Sequence, residues 1–205
     1  MTLMLDLIQR GGWVMYPLIL ASLVALALTL ERLWILRRER IMPRTFLASV
    51  SGLLDQRQYD QVAFISGRGD SAASRLVGLA LKMGGRRRGQ FKDSLEEAGR
   101  REAQELTAHL SVLNLVATVS PLLGLLGTVS GMIRAFNAIA VEGVGNPGLL
   151  AGGISEALLT TAVGLSVAIP TLVVHRALLG RAESLIGELE ELASDLLEAL
   201  ASTEA

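Results

Sequence analysis

The sequence predicts an all-α membrane protein: three transmembrane helices, with long helical extensions on one side of the bilayer. Two features of the 205 residues carry this reading. About half are apolar (51%) while the formal net charge is only −1, and the apolar residues are gathered into three long runs separated by charge-dense stretches. In addition, fourteen of the nineteen basic residues fall between Arg37 and Arg101, which by the positive-inside rule marks that stretch as cytoplasmic.

Residues 1–13 form a short external segment before the first span. From Val14 to Leu30 the chain reads VMYPLILASLVALALTL without a charge, and Trp13, Tyr16 and Trp34 stand where interfacial aromatic anchors belong. This predicts transmembrane helix 1 over 14–36. Ala25-Leu26-Ala27 resembles a signal-peptide cleavage site, but Asp6 spoils a basic leader and Glu31-Arg32 follows directly, so the segment is expected to stay as a span. Residues 37–109 are polar, with helical apolar spacing in Phe46, Leu47, Val50, Leu53 and Leu54 and again in Leu76, Leu79 and Ala80. Short cytoplasmic helices are expected there. The basic run KMGGRRRGQFK, Lys82 to Lys92, reads equally as a site for anionic headgroups and as a solvated loop.

Residues 110–140 are the second span, long enough at about 1.5 Å per residue to protrude beyond the hydrocarbon core. A turn over 141–153, rich in glycine and without Lys or Arg, leads into the third span over 154–179, making a helical hairpin. Arg176 and Arg181 place the following segment, 180–205, in the cytoplasm. Leu178, Leu185 and Leu192 recur every seven residues, with Leu189 and Leu196 four after the last two. Such a helix is expected to pack against a neighbouring helix or copy. The arrangement that follows is multi-pass, with the amino terminus and the hairpin tip facing outward and the carboxy terminus in the cytoplasm.

Composition excludes several function classes. Without cysteine there is no disulfide, thiolate metal site or cysteine nucleophile. His109 and His175 stand alone, without the helical spacing of a metal site, and read as helix-end residues. Lys82 and Lys92, the two lysines, do not follow a phosphate-cradling loop. No cofactor, metal, enzymatic activity or nucleic-acid partner is expected.

The hairpin carries the informative residues. Ser120, Gly124, Gly127 and Gly131 share one face of the second span, and Gly153, Ala157, Thr160, Gly164 and Ala168 one face of the third, so two small-residue ridges allow close helix packing. Glu156 is the only acid between Gly143 and Ala182, and an intramembrane carboxylate is a functional candidate by default. Arg134 lies eleven residues before Gly145 and Glu156 eleven after it, which puts them at similar depth. Two arrangements fit: an ion pair, or Arg134 snorkelling to headgroups while Glu156 meets water in a pore mouth. Thr128 and Thr161, seventeen and sixteen residues from the same turn, share a level near the membrane middle. Their hydroxyls suit either a polar ring or bonding to their own backbone. Pro121 and Pro170 inside the spans are expected to bend the helices.

The segments SPLLGLLGTVSGMIRAF, Ser120 to Phe136, and GGISEALLTTAVGLSVAIP, Gly152 to Pro170, resemble the proton-channel family of ExbB, TolQ and MotA, and ExbB and TolQ more closely. The resemblance implies a homopentameric ring whose second and third helices surround a pore. In that pore would sit the membrane helices of an ExbD- or TolR-like single-span partner bearing an essential aspartate. Thr128, Glu156 and Thr161 match the family's functional polar residues, and force would pass to a TonB- or TolA-like protein. Three spans argue against the four-span flagellar stator. The dozen residues before span one leave out the external extension of some ExbB proteins.

Two other classes compete. A passive membrane scaffold would need only the glycine ridges and the leucine-rich tail. An intramembrane serine protease is suggested by Gly164-Leu165-Ser166-Val167-Ala168 with His175 as base, but nine residues of helix separate Ser166 from His175 and preclude a direct hydrogen bond.

Overall fold

A computed structural model describes residues 11–83, 88–142 and 147–201, and those residues are organised by eight helices. The helices are α1 (Met15–Ile35), α2 (Arg38–Ile41), α3 (Arg44–Asp55), α4 (Tyr59–Arg68), α5 (Ala72–Met83), α6 (Arg88–Thr107), α7 (Leu110–Glu142) and α8 (Pro147–Ala201). Three helical stretches, within α1, α7 and α8, are long and apolar enough to cross a membrane. At 21 residues α1 is about 32 Å long, which matches a hydrocarbon core of about 30 Å.

The chain forms two compact units. The first contains the chain up to Glu31 and His109–Ala177, that is, most of α1, all of α7 and the larger part of α8. Val14, Met15 and Leu18 at the start of α1 are buried, with Leu123 of α7 and Val163 of α8 packed against them. Large apolar side chains cover the outside: Leu23 and Leu30 on α1, Leu122 and Phe136 on α7, Leu158 and Ile169 on α8 are all exposed. A surface of this kind is suited to acyl chains rather than water. Pro121 and Pro170 sit inside α7 and α8 without ending them.

The second unit, Arg32–Ala108 with the chain from Leu178 onward, holds the polar helices. Here α3 packs on α4, α4 on α5, α5 on α6, and the short α2 on α5. Val62, Ala73, Leu76, Val77 and Leu95 are buried in its core. Arg75 clamps Glu102 with Nε 2.6 Å from Oε1, and this hydrogen bond, with burial opposing it, raises the guanidinium's pKa above its ordinary value. Leu178, Leu185, Leu189 and Leu196 are buried within the same unit. Arg38 bonds Glu188 (2.9 Å) and Arg181 donates to the Leu36 carbonyl (2.6 Å). The leucine-rich tail thus finds its neighbours among helices of its own chain.

Several boundaries differ from the sequence reading. The turn expected over 141–153 is shorter, because α7 runs to Glu142 and α8 begins at Pro147. Proline suits the first helical turn, where its missing N–H has no partner to lose. Gly145 and residues 84–87 of the basic run lie outside the described residues. The expected third span and tail form one helix, and His175 is buried inside it rather than at its end. His109 does mark a boundary, with φ 61° between α6 and α7, and its Nδ1 lies 3.3 Å from Glu31 Oε2.

Candidate functional site

The small-residue ridges let the backbones of α7 and α8 meet. A Cβ built on Gly164 would lie 2.7 Å from the Ser120 carbonyl oxygen, and one on Gly131 would lie 2.7 Å from that of Gly153. On Gly124 it would lie 3.0 Å from the Thr160 oxygen, and on Gly127 it would overlap the Thr160 side chain. At Gly127, Gly131 and Gly164 contacts this short admit no methyl group unless the facing helix shifts, and at Gly124 a methyl group would make the Thr160 carbonyl give by a few tenths of an ångström.

The polar side chains lie along this seam. Thr160 is fully buried and donates to the carbonyls of Ala157 (2.9 Å) and Glu156 (3.1 Å) on its own helix. Thr161 reaches across to α7 and bonds the Gly124 carbonyl at 3.3 Å. Thr128 bonds the Leu125 carbonyl at 2.7 Å. The hydroxyls of Thr128 and Thr161 therefore end on successive carbonyls of one helix, and each keeps lone pairs to accept from water or a partner group.

One turn before Thr160 stands Glu156, whose side chain is 12% exposed, and its Oε1 is paired with Arg134 Nη2. The same Nη2 lies 3.5 Å from the Ser130 hydroxyl, and the Arg134 side chain is 49% exposed. The structure therefore joins Arg134 to Glu156. Along the hairpin the polar groups run from Arg134, Ser130 and Thr128 on α7 to Glu156, Thr160 and Thr161 on α8. A carboxylate held by a cation beside stacked hydroxyls can bind and release a proton and orient water, without bond chemistry on a substrate.

Two participants had not been singled out as site residues. Thr160 had been placed in the packing ridge, yet it fills the space over Gly127. Gly12, before α1, lies against the ion pair, and only its left-handed φ of 66° betrays it. The protease constellation is not assembled: Ser166 donates to the Ala162 carbonyl of its own helix at 2.8 Å. Among the described residues no group of three His, Asp or Glu could hold a metal ion.

Residues 69–191, which include the whole hairpin, match the MotA/TolQ/ExbB proton channel family. An ExbB-like biopolymer transport protein of Synechocystis sp. is 34% identical over 185 residues, spanning 88% of both chains. A second ExbB-like protein of that organism is 33% identical over 183 residues, 85% of this chain and 70% of the other. The Tol-Pal system protein TolQ of Pseudomonas aeruginosa is 40% identical over 87 residues, 42% of this chain and 38% of TolQ.

Proposed function

Because the chain belongs to the MotA/TolQ/ExbB proton channel family, we propose that it is the ExbB- or TolQ-like subunit of an inner-membrane motor that turns proton motive force into mechanical work. In this reading five copies form a ring. Their α7 and α8 helices enclose a pore occupied by the membrane helices of an ExbD- or TolR-like partner. Protons cross through the partner's carboxylate, with Glu156, Thr128 and Thr161 of this chain lining the path. Arg134 holds Glu156 in place, and the glycines keep the hairpin thin and stiff enough to form a pore wall. Work passes to a TonB-like protein serving outer-membrane transport, or to a TolA-like protein serving the envelope. The amino terminus faces the periplasm and the polar helical unit the cytoplasm, as the distribution of basic residues indicates.

The observation that carries the proposal is the Glu156 carboxylate, nearly enclosed and paired with Arg134 in a largely apolar hairpin. Charged groups at membrane depth are costly and persist where they serve a pathway. The test is co-expression with the single-span partner, measuring proton-gradient-dependent energy transduction for wild type, Glu156→Ala and Thr161→Ala at equal membrane levels. Loss of transduction in an assembled complex supports the proposal. Unchanged transduction sinks it in favour of a passive scaffold built on the glycine ridges.

A further inference from the structure

We infer that Gly12 is a positioning residue for the proposed proton site, its bare backbone forming the cover over the Glu156 carboxylate. The inference rests on three features of the segment before α1. Gly12 has φ 66°, in the left-handed region where a side chain is strained. Any Cβ there would overlap Glu156 Oε1, lying also 2.8 Å from Arg134 Nη2 and 2.9 Å from Glu156 Cδ. A side chain at this position is strained by conformation, and its Cβ would push the Glu156 carboxylate, the far end of a flexible side chain, out of its place.

The third feature fixes Gly12 where it is. Its carbonyl accepts the Met15 N–H at 3.2 Å and so caps the first turn of α1. Two residues later Val14, Met15 and Leu18 are buried, 1%, 3% and 0% exposed, with Leu123 of α7 and Val163 of α8 packed against them. This anchor holds the start of α1 on the hairpin. The residue preceding the anchored turn therefore lies over the ion pair, and the Glu156 side chain is 12% exposed while its arginine partner is 49% exposed. Cover comes from the turn that leads into α1, which contributes no ionisable group to the pair. Consequences for proton passage rest on the reading of Glu156 given above; the covering of the carboxylate does not.

The experiment uses the assembled complex in native membranes. A water-soluble carbodiimide is applied, and modification of Glu156 is followed by peptide mass spectrometry, together with transduction. Gly12→Ala and Gly12→Asn are compared with wild type, asparagine tolerating the left-handed backbone while retaining the overlapping Cβ. Both are expected to be modified several-fold faster at Glu156, because the displaced carboxylate loses its cover. Modification at the wild-type rate in a variant that accumulates overturns the inference. Faster modification with transduction intact upholds the cover and rejects Glu156 as part of the proton path. If neither variant accumulates, each is combined with Glu156→Ala, which vacates the overlapped space. Restored membrane levels support the inference and unrestored levels overturn it.

Discussion

Replacing Gly164 with alanine puts a methyl group 2.7 Å from the Ser120 carbonyl oxygen and 3.2 Å from the Gly124 Cα. Carbon–oxygen contacts of the C–H···O type sit at about 3.3–3.6 Å, so the two backbones must separate by roughly 0.6 Å. Overpacking of this kind costs about 1–3 kcal/mol. Alanine's better helix propensity returns about 1 kcal/mol. Gly152 supplies the control, since it lies in the same helix and a Cβ there meets nothing within 4 Å. Gly152→Ala should therefore gain about 1 kcal/mol, and the gap between the two variants, about 1–3 kcal/mol, isolates the cost of the clash. At about 2–4 °C per kcal/mol for a chain of this size, thermal unfolding in detergent should separate them by at least about 2 °C. Tryptophan fluorescence can follow the transition, with Trp34 on α1 and Trp13 just before it. Gly164→Ala melting level with Gly152→Ala would refute the claim that the helices meet at van der Waals contact along this ridge.

Further predictions concern the charged groups and the tail. A double-mutant cycle on Arg134 and Glu156 should give a coupling of about 1–3 kcal/mol, less than a fully enclosed pair because half of Arg134 is exposed. Transduction lost in Arg134→Glu or Glu156→Arg should return in part when the two are combined, and no return would count against pairing. Arg75→Ala should destabilise the polar unit by about 1–3 kcal/mol in chemical denaturation, discounted because Arg75 is 45% exposed. The sign with pH follows from the raised pKa of Arg75: its contribution is complete below the guanidinium's ordinary value and is lost only as pH rises through the still higher folded value. The loss on mutation should accordingly be flat between about pH 6 and 9. Leu196→Ala, at a site 1% exposed, should cost about 2–5 kcal/mol and make the polar unit protease-sensitive. Equal protease resistance would show that the tail is not part of that unit.

The three spans were legible because apolar runs of that length have few other uses, and α1, α7 and α8 each carry a stretch long and apolar enough to cross a membrane. The glycine ridges were legible from spacing alone, since residues three and four apart share a face. Residue counts from the connection brought Arg134 within reach of Glu156, but they cannot choose between pairing and snorkelling, which depends on the rotamers of two long side chains. Glycines around 152–153 suggested a turn, yet the chain is already helical there because Gly153 is pressed against Ala135 and the Gly131 carbonyl. Packing outweighs the weak helix propensity of glycine. The partner of the leucine-rich tail was hidden, because a heptad reports an apolar seam and not what fills it. Gly12 was invisible for a different reason: its role depends on a backbone angle and on residues more than a hundred positions away.

Glu156 is proposed to serve a proton path. Its most direct test is proton flux into liposomes reconstituted with the protein and its single-span partner, under an imposed gradient, comparing wild type with Glu156→Ala at equal complex content. Gradient-driven flux is expected in wild type, and its loss in Glu156→Ala with the complex intact. Equal flux in the two would contradict it.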